Sequence, residues 1–405
     1  MFLLELKKQM TRFFILYFCV NLINNLIHPI TPAYVESLNM PDYVFGLLFA
    51  TMSFSNFLFS PFWGELSDRK GRVTVIRICM IGYAFGQFGF ATCNTLPFIL
   101  LFRFIGGIFS GGFLVTALAY ISDMTEGHER TKNLSFFAAM VTLAVSAGFF
   151  IGGFIGKLNI YYTFMLQIPL LIIETFLFKI LLPESLSEEK RIKGKIDFKK
   201  IMKIIDIEKG KDILTFPIIV FFIGVILTEF SRVGFNNSFN FYIKSALNLP
   251  PSYNGGIMGM IGVLGLFANL TINMWLANKF DLRKIFPVIL FSNSIMGIFI
   301  LLFSSKIFIF FLFSVLFYIF NAIYVPIQQS LFTKGQSSNY GLLSGYFNSG
   351  STFLPIPQPV ITGSLFTGFI YEINKLLPFL AVTIIMFLAG ISYTYNYFQY
   401  KKTES

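Results

Sequence analysis

The side chains able to do chemistry in this 405-residue chain are a few ionisable groups and amides stranded in long apolar runs. Asn21, Asn24, Asn25 and His28 recur at i, i+3, i+4 and i+7, the spacing that places four side chains on one helix face. Glu229, Arg232, Asn236 and Asn240 form a second stripe, and Tyr318, Asn321, Gln328 and Gln329 a third, while Arg103 and Glu174 stand alone in other runs. Amides in such a setting hydrogen-bond a polar solute or a neighbouring helix. Charges there are costly unless paired or used, so the chemistry on offer is reversible proton binding and recognition of a charged solute. Glu229 is the first candidate proton carrier, although Arg232, three residues on, can equally neutralise it as a structural pair. Glu174, with no local basic partner, and His28 are the others. Catalysis finds no support: there is no Gly-x-x-x-x-Gly-Lys loop, no metal-ligand cluster and no triad signature, and neither cofactor nor metal is expected. Cys19, Cys79 and Cys93 lie in apolar segments without ligand spacing and are expected to be buried as small hydrophobes.

The elements that must hold these residues are membrane spans. Hydrophobic residues make up 55% of the chain and charged ones 13%, with a mean hydropathy of +0.71, where a soluble domain carries about 25% charged residues. Twelve apolar segments follow, each near the roughly 20 residues that cross a bilayer. They are helices 1 (Phe13 to Tyr34), 2 (Tyr43 to Trp63), 3 (Val75 to Cys93), 4 (Pro97 to Ile121), 5 (Leu134 to Ile155) and 6 (Tyr161 to Leu182), then 7 (Leu214 to Ile243), 8 (Tyr253 to Ala277), 9 (Ile285 to Phe303), 10 (Ile307 to Leu331), 11 (Gly341 to Tyr371) and 12 (Leu376 to Phe398). Helix 1 is too long for a signal core, carries several polar residues and ends without a small-residue cleavage site, so a cleaved leader is not expected. A Lys- and Glu-rich stretch at 183–213 divides the chain into a first half, 1–182, and a second, 214–405.

The net charge of +11 does not mark a nucleic-acid partner, because the basic residues sort by side. Lys7, Lys8, Arg12, Arg69, Lys70, Arg72, Arg77, Arg130 and Lys132, the linker set, Lys279, Arg283, Lys284, Lys334, Lys401 and Lys402 all fall on one face if the spans alternate. Only Lys157, Lys244, Lys306 and Lys375 fall on the other. The positive-inside rule then predicts a multi-pass protein of the cell (inner) membrane with both termini and the linker cytoplasmic. The halves also repeat: at an offset of 210, Pro41, Tyr43 and Gly46 meet Pro251, Tyr253 and Gly256, and Gly148-Phe149-x-x-Gly152-Gly153 meets Gln358-Pro359-x-x-Thr362-Gly363. Such a repeat predicts an all-α integral membrane protein of twelve transmembrane helices in two pseudo-symmetric six-helix bundles, with a site at mid-membrane between them.

The most charged short run between two spans is Gly64-Glu65-Leu66-Ser67-Asp68-Arg69-Lys70-Gly71-Arg72, which is expected to be a surface loop with a glycine at each end. Its pattern Gly-x-x-x-Asp-Arg-x-Gly-Arg resembles the signature loop between helices 2 and 3 of the major facilitator superfamily of secondary transporters; the usual further basic residue is Val73 here. Pro29-Ile30-Thr31-Pro32 at the end of helix 1 resembles the corresponding end in the twelve-helix drug:proton antiporters of that superfamily. Ala144-x-x-x-Gly148-Phe149-x-x-Gly152-Gly153 resembles their helix 5 motif, with Phe149 where the family has proline, and Ile99-x-x-x-Arg103-x-x-x-Gly107 resembles their helix 4 arginine motif.

This resemblance implies alternating access, with helices 1, 4, 7 and 10 lining the cavity that the polar stripes would face. It associates Arg103 with proton coupling, against the plainer expectation of a snorkelling arginine near a helix end. It makes Gly64, Asp68, Arg69, Gly71 and Arg72 a cytoplasmic gate with Asp123, Glu126 and Arg130, and makes Gly148, Gly152 and Gly153 a close-packing face between halves. It places helix 6, and so Glu174, at the periphery. The expected function is proton-coupled efflux of drug-like or small amphipathic solutes. The alternative is a proton-coupled uptake symporter for a sugar or organic anion, favoured by Arg103, Arg232 and the amides. The expected partners are a small-molecule substrate, protons and the lipid bilayer, with the chain acting as a monomer.

Overall fold

The computed structural model describes residues 2–194, 216–333 and 357–404, which fold as long helices joined by short turns. The first bundle holds α1 (Phe2–Asn25), α2 (Tyr43–Lys70), α3 (Arg72–Thr92), α4 (Leu96–Met124), α5 (Gly127–Leu158) and α6 (Ile160–Leu181). The second holds α7 (Phe216–Ser245), α8 (Pro251–Ala268, continued through a π turn at Asn269–Asn273 to Met274–Lys279), α9 (Leu282–Leu302), α10 (Ile307–Thr333), α11 (Pro357–Ile373) and α12 (Leu377–Glu404). Eleven helical segments among the described residues are long and apolar enough to cross a membrane. The twelfth, α11, is described only from Pro357; the earlier part of expected helix 11 lies outside the described residues, as does the start of expected helix 7.

Lipid takes the place of water on the outside, so the helices turn aromatic and aliphatic side chains outward. Phe85, Phe98, Phe154, Phe176 and Phe308 are all more than two-fifths exposed. Packing is instead by small residues: Gly86 lets the α3 backbone meet Gly106 of α4, and Gly107 brings α4 against Ser55 and Met52 of α2. One apolar cluster, including Phe13, Tyr17, Val75 and Phe178, belongs to the first bundle alone. The other draws Ile30, Tyr34, Phe45 and Phe149 together with Phe239, Phe241, Tyr242 and Met258 of the second.

Two expectations change. The end of helix 1 is a 3-10 turn, His28–Ile30, followed by a short helix, Thr31–Ser37, because Pro29 and Pro32 lack the N–H that a continuous ladder needs. The stretch from Gly64 is not a loop: α2 runs on as helix to Lys70, supported by the i, i+4 pairs of Glu65 with Arg69 and Asp68 with Arg72. Only Gly71 breaks it, at φ +97° and ψ +155°, a region that essentially only glycine occupies.

Candidate functional site

The polar stripes form two walls, one in each bundle. In the first, Asn21 and Asn25 each donate Nδ2 to the carbonyl four residues back, Tyr17 and Asn21, at 2.8 Å, leaving their oxygens for other partners. Asn24 Oδ1 and His28 Nδ1 are enclosed with no donor or acceptor in reach. The His28 ring is sandwiched between Phe49 of α2, centroids 5.6 Å apart, and Phe149 of α5, at 5.5 Å. Phe149, where the family pattern has proline, thus stacks on the polar stripe. Arg103 does not snorkel: it is 1% exposed, its guanidinium carbon 4.4 Å from the Phe90 ring centroid and 5.7 Å from that of Phe49. Gly107, one turn on, carries it inward by letting α4 lie against α2.

The second wall centres on α7. Arg232 donates Nη2 to Glu229 Oε2 at 2.6 Å and Nε to both carboxylate oxygens at 3.2 Å. The Arg232 side chain is 42% exposed and that of Glu229 14%, so the pair is not sealed in packed core. Tyr318 donates its hydroxyl to Asn236 Oδ1 at 3.1 Å, and Asn240 donates Nδ2 to the Asn236 carbonyl at 2.8 Å, joining α7 to α10. Of the α10 amides, Asn321 and Gln328 turn to neighbouring helices, and the Gln329 side chain lies outside those described. Asn321 accepts from Asn293 of α9 at 2.8 Å, and Gln328 donates to Thr228 of α7 and Tyr393 of α12 at 2.9 and 2.7 Å.

Glu174 stays apart from these walls. Its helix presents Gln167 to the Ile23 carbonyl of α1 at 2.8 Å and the Thr175 carbonyl to Arg77 of α3 at 3.2 Å. Glu174 is 6% exposed, and its Oε2 has no donor in reach.

At the end where α2 meets α3, Arg72 is the hub. It reaches Asp68 Oδ1 at 2.5 Å, Asp123 Oδ2 at 2.9 Å and Ser67 Oγ at 2.6 Å. Arg69 pairs with Glu65 and donates to the Gly194 carbonyl at 2.7 Å, while the Ile192 N–H donates to the Asp68 carbonyl at 3.0 Å. Arg130 does not join the carboxylates; it caps the end of α4 through the Ser122 and Thr125 carbonyls. Sequence reasoning missed Glu184, which accepts from the Arg72 and Val73 N–H groups at 2.5 and 3.2 Å and so caps α3. One acid after Pro183 at the start of a charged stretch makes no pattern, so the sequence carries no signal for it. Gly64 packs on Val115 of α4. The ion pairs of Arg69, Arg72, Lys132 and Arg191 at this end join residues of the first half and of the linker.

The opposite end is sealed across the halves. Glu36 pairs with Lys244 at 2.8 Å, the Tyr43 N–H donates to Glu372 at 3.2 Å, and Phe45 stacks on Phe241 at 5.0 Å. Glycines make the seal tight: Gly46 of α2 lies against Ser364 and Gly368 of α11, and Gly153 of α5 against Pro251 and Gly255 of α8. Gly148 and Gly152 pack on Leu22 and Leu26 of α1 instead, within their own half. A small, half-open pocket remains in the seal, lined by Asp42, Phe45, Asn237, Ser238, Thr367 and Tyr371 among others. Burial there pushes the Asp42 carboxyl up, with Lys375 pulling against it.

Among known proteins, Multidrug resistance protein 2 of Bacillus subtilis is 23% identical over 398 residues, 96% of each chain. Quinolone resistance protein NorA of Staphylococcus aureus is 31% identical over 149 residues, a stretch that is 36% of this chain and spans 38% of that relative's length. Solved structures share the fold: the human organic anion transporter MFSD10 (TETRAN) superposes with a TM-score of 0.68 at 18% identity, covering 96% of this chain and 99% of that one. The nucleoside transporter NupG gives 0.72 at 13%, covering 96% and 98%. The family model described as Major Facilitator Superfamily matches residues 13–357, and with that match running from α1 to the start of α11 the chain belongs to this superfamily of membrane transporters.

Proposed function

We propose that this chain is a proton-coupled exporter of drug-like or small amphipathic solutes, working as a monomer in the cell membrane by alternating access between halves 1–182 and 214–405 joined by a cytoplasmic linker at 183–213. The observation that carries this reading is the alignment with Multidrug resistance protein 2 over 96% of both chains. The lysine and arginine asymmetry favours an inner position for the Arg72 network, and with it an outer position for the glycine-tight seal of Glu36, Gly46 and Gly153. Substrate contacts fall to the partly exposed Asn21, Asn25, His28 and Asn236 with Tyr318, and Glu229 carries the proton, released from Arg232 as the halves rock.

The second reading, uptake symport of a sugar or organic anion, is favoured by the buried Arg103. Everted vesicles energised to an acidic lumen distinguish the two. Adding a transported solute to the cytoplasmic face of an antiporter drains lumenal protons and alkalinises the lumen, whereas a symporter carries protons inward with the solute. A solute panel that never alkalinises the lumen would exclude the export reading.

A further inference from the structure

We propose that Arg103 and His28 form an anion subsite behind a Phe49 flap, which takes the carboxylate of an amphipathic aromatic solute. The inference rests on the transporter reading of the cavity and gives Arg103 to the substrate rather than to the proton. Arg103 is 1% exposed, and its Nε, Nη1 and Nη2 have no acceptor in reach among the described residues. A guanidinium so placed is costly unless something balances it. The Phe90 and Phe49 rings supply part of that balance through cation–π attraction and leave its hydrogen-bonding unmet.

Among the described residues no carboxylate reaches it. Glu229 is committed to Arg232, Glu174 lies on the α1 and α3 side of α6, and residues 334–356 contain no Asp or Glu. The carboxylate of a ligand would supply the acceptor. His28 Nδ1 is a second enclosed group without a partner, and Phe49 lies between the two, 5.6 Å from the His28 ring and 5.7 Å from the guanidinium. Phe49 is itself half-buried, so the cluster is not enclosed on the Phe49 side. Rotation of its ring exposes guanidinium and imidazole together, and Phe49, Phe90 and Phe149 give an aromatic body something to stack on. The flap is tied to the transport cycle: Phe49 packs edge-on to Phe45 at 5.0 Å, and Phe45 stacks on Phe241 of the other half. Parting the halves frees the flap.

The test uses purified full-length protein in nanodiscs and two nearly isosteric probes, 1-naphthylacetate and its neutral amide. A charge-assisted hydrogen-bonded contact predicts that wild type binds the carboxylate about 10- to 100-fold tighter than the amide. Arg103→Gln should bring the ratio to near one with amide affinity retained, Arg103→Lys should keep part of it, and Phe49→Ala should speed carboxylate association several-fold. Equal affinities in wild type, including no detectable binding of either probe, or a preference that survives Arg103→Gln, overturns the subsite. If Arg103→Gln does not fold, the wild-type ratio and Arg103→Lys decide. A solute panel that fails to alkalinise vesicles while the probe preference stands would sink the export reading and leave this one intact.

Discussion

Alanine at Gly153 should shift the transporter's conformational balance, whereas alanine at Gly148 should only loosen its fold. A methyl group on Gly153 would stand 2.7 Å from the Pro251 carbonyl oxygen and 2.8 Å from Gly255 Cα, both backbone atoms of the opposite half. Ordinary contact begins near 3.4 Å, so α5 and α8 must part by roughly 0.7 Å where neither backbone can yield. Overpacking of that kind costs about 1–3 kcal/mol. Because the contact belongs to the sealed end, the cost falls on the state described here and not on one with the seal open. The open population should therefore rise about 5- to 150-fold. At Gly148 the same methyl meets the Leu22 carbonyl and, at 2.9 Å, Asn25 Cβ, within one half, so every conformer bears the cost and only the melting temperature falls. Spin labels at the exposed Ser37 and Asn248, in a background lacking Cys19, Cys79 and Cys93, read the outer separation by pulsed dipolar spectroscopy. Identical distance distributions for Gly153→Ala and wild type would refute the reasoning, as would an equal outward shift for Gly148→Ala.

The Arg72 hub gives a second expectation: Asp68→Asn should impair transport while costing under about 1 kcal/mol of stability, since Asp68 is 40% exposed and Asp123 still holds Arg72. Normal transport at matched abundance would make the network a static clamp. For the proton, Glu229→Gln should abolish uphill transport and spare downhill exchange, and Glu174→Gln should do so less; if both variants concentrate substrate at wild-type rates, the carrier is His28 or the substrate itself. A reporter fused after Ser405 should read cytoplasmic and one inserted between Asn39 and Pro41 external, and finding both on one side would overturn the even-span topology.

The spans were legible because a bilayer demands long apolar runs, and most helix ends moved by only a few residues. The Arg72 cluster was legible as far as its charges were contiguous: Asp68, Arg69 and Arg72 announce themselves, and Asp123 is the partner expected for them. Glu184 was absorbed into the linker because one acid after a proline has no pattern to mark it. Spacing found the α10 stripe and could not say which way it faced. A polar face of a membrane helix serves a cavity or a neighbour with the same period, and Asn321 and Gln328 went to α9, α7 and α12. Gly153 was read as a close-packing residue, yet its partner Gly255 is visible only once α5 and α8 are set side by side. Arg103 shows the same limit from the other direction. Its charge predicted a role or a route to water, and what holds it is a pair of rings from α2 and α3 that no helical period connects to it.

Uphill transport driven by an imposed gradient tests the central claim most directly. Proteoliposomes holding the purified chain and an acidic interior, diluted into neutral buffer with a fluorescent solute that alkalinises everted vesicles, should accumulate that solute above its external concentration and lose the accumulation when an ionophore collapses the gradient. Equilibration without accumulation, or accumulation that survives collapse of the gradient, would contradict proton-coupled export.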